Sequence, residues 1–367
     1  MDIRLKNTIV SLSFAVIIAG VFLANIILPD NEFTFSERRR LAAAPAFSFE
    51  SLISGEFFEE FDKYTLDQFI FRDAFRRIKA IGTYHIFRQW DNNDIYIIDG
   101  NISKMVYPLN VNSIKNAADK LNKLYDEFLK DKNVYYAVIP DKNYFLADKH
   151  GFLSMDYSKL LDTMQENVKN IKYIDLFDSL TIDDYYRTDI HWRQEKILGI
   201  ADKLLKEMGS DAKASDADYE YKELFPFYGS LYGQSAMKAE PDSLIYLNNH
   251  LLDSCTVYDY EIKDNIKVYV PEKFKGIDPY DVYLSGAKPL LKITNNNAKN
   301  GRKLILFRDS FGSSIAPLLM MGYSEIVLVD LRYISSQVLD DYIDFSQYQD
   351  VLFLYNTQIL NNSYLFR

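Results

Sequence analysis

The sequence predicts an α/β fold with a doubly wound, mostly parallel sheet, helices on both of its faces and an N-terminal transmembrane helix. Short unbroken apolar runs alternate with amphipathic segments from about residue 94 onward, as expected when both faces of a parallel sheet are covered. An uncharged apolar run precedes this alternation. It begins at Thr8, ends at Leu28 and is long enough to cross roughly 30 Å of hydrocarbon.

The predicted elements of the sheet domain alternate along the chain. The strands are predicted at residues 134–139, 173–176, 304–307, 326–329 and 351–355. The helices are predicted at residues 113–129, 158–168, 192–208, 314–321 and 336–343. Gly209 follows the third of these helices, where a glycine commonly terminates a helix. In such a sheet, functional residues gather at the carboxyl ends of the strands.

Three segments are predicted: an anchor at 1–29, a stem with amphipathic helices at 30–90, and an α/β domain at 91–367 with an insertion at about 210–300. Residues 57–86 carry apolar side chains at helical spacing, which predicts one or two helices that pack on the main domain. Within the insertion, residues 266–270 predict an antiparallel strand. The asparagines at 295–297 and the Asn300-Gly301 pair predict a loop.

The charges around the apolar run predict its orientation. Arg4 and Lys6 precede the run, which favours a cytoplasmic N-terminus, although the three arginines at 38–40 oppose this orientation. A cleaved signal peptide is the alternative, but the run exceeds the usual core of about 7–15 residues. We therefore predict a single-pass protein of the cytoplasmic membrane with an extracytoplasmic main domain.

Composition limits the classes of partner. The chain has 52 acidic and 42 basic residues and a net charge of −10, which argues against nucleic acid as a partner. The single cysteine, Cys255, allows no intramolecular disulfide and no cysteine cluster for zinc. The sequence contains no glycine-rich nucleotide-binding loop, and we predict neither a cofactor nor a metal. Tyr and Phe are abundant, but they occur in apolar cores as well as on sugar-binding surfaces, so their number does not distinguish the two roles.

Ser310 is the candidate nucleophile. It lies between the predicted strand at 304–307 and the next predicted helix, so its hydroxyl is expected at the carboxyl edge of the sheet. There the first N–H groups of the helix can stabilise an oxyanion. The alternative is that Asp309 or Ser310 only caps the helix. We interpret Asp309 as a turn former and not as the acid of a triad.

Residues 188–192, Thr-Asp-Ile-His-Trp, supply an acid and an imidazole. Of the 4 histidines, only His191 combines an acid two positions away with a place at the start of a predicted helix. Because positions i and i+2 do not share a helix face, Asp189 must lie in the turn before the helix, near its N-cap, to hold His191. The imidazole Nε2 would then face Ser310.

Two other interpretations of this segment stay open. Asp189 can be a plain N-cap beside a histidine and a tryptophan that only pack. A metal site formed with Asp183 and Asp184 is the other alternative, although the spacing matches no recognised ligand pattern.

From about residue 30 onward, the chain resembles the DHHW family of cell-envelope proteins, which are related to alginate O-acetyltransferase proteins and more distantly to SGNH hydrolases. Residues 36–41, Ser-Glu-Arg-Arg-Arg-Leu, are similar to the opening of the family. Residues 188–192 resemble its signature, with Ile190 in place of the first histidine. Residues 308–312, Arg-Asp-Ser-Phe-Gly, are similar to its serine motif.

This resemblance implies an SGNH-like fold and a triad of Asp189, His191 and Ser310, in which acid and base precede the nucleophile in the sequence. It also implies a membrane-bound O-acyltransferase partner that exports the acyl group, since acetyl-CoA is absent outside the cell.

Further site candidates follow from position. The N–H of Ser310, a backbone N–H of Gly229 or Ser230, and the amide of Asn356 beyond the strand at 351–355 are candidate oxyanion donors. For these last three residues, ordinary turn roles are the alternative. The substrate-binding candidates are Arg332, whose alternative role is a surface charge, and Trp192.

The predicted function is a membrane-anchored, extracytoplasmic O-acetyltransferase that modifies a cell-envelope or exported polysaccharide through an acyl-serine. A carbohydrate O-acetylesterase would use the same triad, with water as the acceptor. A non-catalytic glycan-binding or scaffold protein of the envelope is the third hypothesis.

Overall fold

The computed structural model describes residues 2–34, 36–298 and 301–367, so Asn300 of the predicted loop lies outside the described residues. The chain forms two compact units. The smaller comprises Met1–Asn92 with Ala236–Lys238, and the larger comprises Asn93–Ser235 with Ala239–Arg367.

The smaller unit contains helices and a short hairpin. Its elements are α1 (Ile3–Ile27), β1 (Phe33–Thr34), β2 (Arg39–Arg40), α2 (Phe49–Ser54), α3 (Glu56–Asp67), α4 (Arg72–Ile81) and a π-helical turn (Gly82–Ile86). The α1 helix contains all but the last residue of the apolar run and is long and apolar enough to cross a membrane. Its N-terminus is capped by the Asp2 carboxylate, which accepts a hydrogen bond from the Arg4 N–H at 3.1 Å.

The larger unit contains the alternating elements. Its strands are β3 (Ile95–Ile98), β4 (Asn101–Lys104), β5 (Asn133–Ile139), β6 (Lys172–Ile174), β7 (Glu220–Phe227), β8 (Asp242–Asn248), β9 (Cys255–Asp259), β10 (Asp264–Ile266), β11 (Leu290–Asn295), β12 (Lys303–Arg308), β13 (Glu325–Val329) and β14 (Asp350–Asn356). Its α-helices are α5 (Val111–Leu124), α6 (Lys142–His150), α7 (Tyr157–Asn167), α8 (Leu198–Glu207), α9 (Ser230–Ser235), α10 (His250–Ser254), α11 (Phe311–Leu319) and α12 (Thr357–Leu360).

Within the described part of the chain, eight strands form one sheet in the order β10-β9-β11-β13-β12-β14-β5-β6. The strands from β13 to β6 in this order pair in parallel. The strands β11, β9 and β10 extend the sheet with antiparallel pairs. Separate antiparallel hairpins are formed by β3 with β4 and by β7 with β8. The predicted α/β class with a mostly parallel sheet is confirmed.

Two apolar cores lie on opposite faces of this sheet. Along β12, Leu304 and Leu306 belong to the core that α8 and α11 cover, whereas Ile305 and Phe307 belong to the core that α5 and α7 cover. Because side chains alternate between the faces of a strand and both faces are covered, every position must be apolar. This explains the unbroken apolar runs from which the strands were predicted.

The predicted helix at 192–208 begins later than expected. Residues 187–191 form an irregular bend, Gln194–Lys196 forms a 3₁₀ turn, and α8 begins at Leu198. Its end agrees with the prediction, because Gly209 follows it with a φ of +77°. The predicted helix at 336–343 is a 3₁₀ segment, Ser336–Asp341.

The segment at about 210–300 also differs from the prediction. The strand expected at 266–270 is displaced, because β10 ends at Ile266 and pairs with β9. The segment supplies β9, β10 and β11 to the main sheet as well as the separate β7–β8 hairpin. It is therefore part of the central sheet and not only an addition to it.

Candidate active site

Ser310 lies at the carboxyl edge of the parallel strands. The strand β12 ends at Arg308 and α11 begins at Phe311, so Asp309 and Ser310 form the turn between them. Asp309 fastens this turn: its Oδ1 accepts the Phe311 N–H at 3.0 Å, and its Oδ2 accepts the Asn356 N–H at 2.7 Å. Burial raises the pKa of Asp309. Asp309 is thus the predicted turn former.

His191 connects Ser310 to Asp189. Its Nε2 lies 2.7 Å from the Ser310 Oγ, and its Nδ1 lies 2.6 Å from the Asp189 Oδ1. The Asp189 side chain is fully buried, and His191 is 5 % exposed. With Nδ1–H donating to the carboxylate, Nε2 is left to accept the proton of the serine hydroxyl. This series of contacts is suited to activating a serine nucleophile.

An irregular loop brings Asp189 and His191 together, which corrects the predicted N-cap geometry. Residues 187–191 bend, and the loop is closed by a β-bridge between Tyr185 and Trp192 and by the hydrogen bond from the Tyr186 N–H to the His191 carbonyl. The His191 N–H also donates to the Asp189 Oδ1 at 3.0 Å. Asp189 does not cap α8, because this helix begins at Leu198.

The turn at 229–230 holds the acid. The Ser230 N–H donates to the Asp189 Oδ2 at 2.6 Å, and the Gly229 N–H donates to the Thr188 Oγ1 at 2.9 Å. Both backbone amides that were predicted as oxyanion donors are therefore paired with the 188–189 segment. The backbone of Gly229 approaches residues 188–189 closely, so it contacts the segment that carries the acid.

Lys142 binds the loop that carries Asp189 and His191. It is 3 % exposed, and its pKa is lowered to about 7 by burial, an effect that Asp189 and Asp242 partly offset. Its ammonium donates to three carbonyls of the loop: Tyr186 at 2.7 Å, Arg187 at 2.9 Å and Asp189 at 3.2 Å. Lys142 is not among the predicted site residues, although its place three residues after the end of β5 is a signal for this sheet edge.

Asp242 also binds this loop and is likewise not among the predicted site residues. Its Oδ2 accepts the Thr188 N–H at 2.8 Å and the Thr188 hydroxyl at 2.6 Å, and its Oδ1 accepts the Arg187 N–H at 3.1 Å. No local pattern marks Asp242 in the sequence, because it lies in the first position of β8, far from residues 187–188.

The imidazole of His191 is fixed by aromatic rings. The Tyr280 ring stacks on it with a centroid distance of 3.8 Å and an interplanar angle of 6°, and the Phe311 ring lies at 4.9 Å. The Tyr280 hydroxyl donates to the Ser314 Oγ at 2.8 Å, and the Trp192 Nε1 donates to the same oxygen at 2.8 Å. Through these bonds Ser314, which belongs to α11, holds Trp192 and Tyr280 against that helix.

Trp192 does not present a face to a substrate. Its side chain is 0 % exposed, in contact with Phe311, and its only polar atom is bonded to Ser314. The interpretation of Trp192 as a substrate-binding residue is therefore corrected to one of packing between the loop and α11.

The side chains of Arg332 and Asn356 both form hydrogen bonds with neighbouring protein groups. The Arg332 guanidinium binds both oxygens of Asp330, at 2.9 Å and 2.6 Å. The Asn356 amide donates to the Ile139 carbonyl at 3.1 Å, and its oxygen caps α12. The Ser310 N–H, by contrast, has no hydrogen-bond partner among the described residues.

Metal ligation is not suggested by this arrangement. Among residues 2–34, 36–298 and 301–367, no group of three or more His, Cys, Asp and Glu side chains is placed to hold a metal ion. Asp184 instead closes a local turn, since its Oδ2 accepts the Thr181 N–H at 2.7 Å.

A search with protein-family models gives no match, and a search of the curated proteins gives none either. Solved structures do match. A DHHW family protein from Eubacterium siraeum has a TM-score of 0.61 and 21% sequence identity, over 74% of this chain and 93% of that chain. Bacillus cereus PatB1 has a TM-score of 0.59 and 20% identity, over 73% of this chain and 97% of that chain. A structure of PatB1 with a sulfonyl adduct matches over 72% and 97% of the two chains, again with a TM-score of 0.59. The chain therefore has the fold of a DHHW family protein and of PatB1, in agreement with the resemblance of its motifs.

Proposed function

We propose that the chain is a serine-dependent O-acyltransferase that transfers an acetyl group to a cell-envelope or exported polysaccharide, with α1 as its anchor in the cytoplasmic membrane. The observation that carries this proposal is the hydrogen-bonded series Asp189–His191–Ser310 at the carboxyl edge of the sheet. The fold shared with a DHHW family protein supports it.

The reaction begins with attack of the Ser310 Oγ on the acyl carbonyl of a donor. The His191 Nε2 accepts the hydroxyl proton as the new C–O bond forms, and Asp189 stabilises the resulting imidazolium. The negative charge that develops on the carbonyl oxygen is placed near the N-terminus of α11, where the Ser310 N–H is the candidate donor. The imidazolium then returns the proton to the leaving group, and an acyl-serine remains.

The second half of the reaction uses the same groups in reverse. A sugar hydroxyl attacks the acyl-serine and gives its proton to the His191 Nε2. The tetrahedral intermediate collapses, the Ser310 Oγ takes the proton back from the imidazolium, and the acetylated sugar leaves. The donor is proposed to be supplied by a membrane-bound O-acyltransferase, because the domain is proposed to lie outside the cytoplasm.

A carbohydrate O-acetylesterase is the second candidate function. Ser310 is partly exposed, so water can approach an acyl group that is bound to its Oγ. Hydrolysis would replace transfer whenever water reaches the intermediate before a sugar hydroxyl does.

The test is intact-mass spectrometry of the full chain in detergent after treatment with phenylmethylsulfonyl fluoride or with p-nitrophenyl acetate. We expect one sulfonyl group per chain and turnover of the ester, both lost in Ser310→Ala and His191→Ala. Addition of oligosaccharide acceptors then separates transfer from hydrolysis by the mass of the acetylated product. A folded protein that shows neither modification nor turnover would point to the glycan-binding or scaffold alternative.

A further inference from the structure

The α4 helix of the smaller unit is amphipathic, but its apolar face points outward. Three of its apolar side chains are exposed at helical spacing, Phe75 (54%), Ile78 (64%) and Ile81 (49%), and so is the N-cap residue Phe71 (73%). The polar side faces the unit itself, since Arg72 and Arg76 each bind the Glu37 carboxylate, at 2.7 Å and 3.2 Å. A helix on a water-soluble protein turns its apolar stripe inward. The reverse orientation is expected where an apolar medium surrounds the protein.

The α3 helix adjoins the candidate membrane span. A cleft of about 600 Å³ is lined by residues of both helices, among them Phe61 and Tyr64 of α3 and Ile17, Val21 and Phe22 of α1. The turn after α3 is also fixed to α1. The Ile70 N–H donates to the Asn25 Oδ1 at 2.9 Å, within the same compact unit.

These contacts set the depth of α3 relative to α1. At a rise of about 1.5 Å per residue, Ile17 lies about 12 Å before Asn25 along the helix axis. Ile17 therefore lies near the middle of the apolar run at 8–28, which spans roughly 30 Å, and Phe22 lies in its C-terminal half. Because α3 and this part of α1 line one cleft, the medium that surrounds α1 in a membrane also reaches the apolar side of α3.

We propose that α2, α3 and α4 form an amphipathic collar embedded in the extracytoplasmic boundary of the lipid bilayer, with acyl chains against the outward apolar face of α4. The α2 helix belongs to this collar because Phe49 (76%) and Ile53 (83%) are also exposed. The proposal rests on α1 as a membrane anchor, which is part of the proposed function. Bilayer lipid is the occupant because the collar is continuous with a helix that lipid itself would surround.

The test uses the full chain in phosphatidylcholine nanodiscs. In a Cys255→Ser background, the single cysteines Phe75→Cys and Ile78→Cys report on the collar, Val16→Cys reports on α1, and Glu60→Cys reports on the polar face of α3. Each is labelled with an environment-sensitive fluorophore, and lipids with a doxyl quencher are added. Far-UV circular dichroism of each labelled variant shows that its helices are formed, and Phe71→Cys replaces any collar variant in which they are not.

The proposal predicts blue-shifted emission at positions 75 and 78 that lipid quenches as strongly as at position 16, and water-like, unquenched emission at position 60. Water-like emission at 75 and 78, with quenching at 16, would overturn the collar and leave the anchor intact. A blue shift without lipid quenching would mean that protein, such as a second copy of the chain, covers the face, and would also overturn it. Absence of quenching at position 16 would contradict the assignment of α1 as a membrane anchor and would overturn the collar as well. Ester turnover is a separate measurement, and it reports on the proposed chemistry of Ser310.

Discussion

Gly229 lies in such close contact with Asp189 that only a glycine fits. A Cβ atom on Gly229 would lie 2.3 Å from the Asp189 Cβ and 2.3 Å from the Thr188 carbonyl oxygen. This approach lets the following residue, Ser230, place its N–H 2.6 Å from the Asp189 Oδ2. The position of the acid therefore depends on the absence of a side chain forty residues further along the sequence.

The substitution Gly229→Ala is expected to lower kcat for ester turnover by about 100-fold, because a shift of about 1 Å in a catalytic group can cost that much. The measurement is steady-state kinetics on p-nitrophenyl acetate. Gly199→Ala is the matched control: it lies in α8, and nothing lies within 4 Å of an added Cβ. This control should keep its activity and gain up to about 1 kcal/mol of stability, as expected for alanine in a helix. Equal activity of the two variants would contradict the proposed role of the 229–230 turn.

Asp189→Asn tests which acid serves the histidine. An amide keeps the shape of the side chain but offers the wrong hydrogen-bonding group to the His191 Nδ1, so we expect kcat to fall by about 10³–10⁴-fold with little change in fold. Asp309→Asn is the contrasting variant, because both Asp309 oxygens accept backbone N–H groups. It should lower the free energy of unfolding by about 1–3 kcal/mol through an unpaired buried donor. If Asp309→Asn caused the larger loss of kcat in a folded protein, the assignment of the acid would be wrong.

The strands and the turn that carries Ser310 were predictable because their signals are local. Unbroken apolar runs mark strands covered on both faces, and a serine between such a run and a helix is placed at the sheet edge by chain order alone. The groups that hold the site were not predictable in this way. Lys142 is a lysine in a polar stretch, and its burial becomes favourable only because three carbonyls of the 186–189 loop converge on it.

The errors have the same origin. Trp192 was assigned to a helix and to a substrate surface, but its bridge with Tyr185 and its bond to Ser314 place it in the core before α8 begins. Gly229 lies at a point of close backbone approach. Which group it approaches depends on how the 229–230 turn packs on residues 188–189, and this packing has no signature in the sequence.

Lys142 is expected to make stability depend on pH. Its pKa is lowered from 10.5 to about 7 in the folded chain. Between these values the unfolded chain binds one proton more than the folded chain, so the free energy of unfolding rises with pH, by up to about 1.4 kcal/mol per pH unit. Below the folded value, lysine is protonated in both states and adds no slope.

Urea unfolding of Lys142→Met and of the otherwise identical protein at pH 7.5 and pH 9.5 tests this prediction. Fluorescence of the buried Trp192, in a Trp90→Phe background, reports on the larger unit. The variant should be less stable at both pH values, because it leaves buried carbonyls without a donor, and should lack the additional rise with pH. Parallel pH profiles for the two proteins would show that Lys142 does not titrate in this range.

Tyr280 is expected to act as a positioning residue for His191. Its ring stacks on the imidazole at 3.8 Å, whereas its hydroxyl contacts only Ser314 at 2.8 Å among these groups. Tyr280→Phe keeps the ring and loses one hydrogen bond, so it should cost about 1 kcal/mol of stability and leave kcat nearly unchanged. Tyr280→Leu removes the flat surface on which the imidazole rests and should lower kcat by about 10–100-fold with little change in KM. The kinetic difference between the two variants is the decisive measurement, because a residue that only fills the core would lower stability in both without separating kcat from KM.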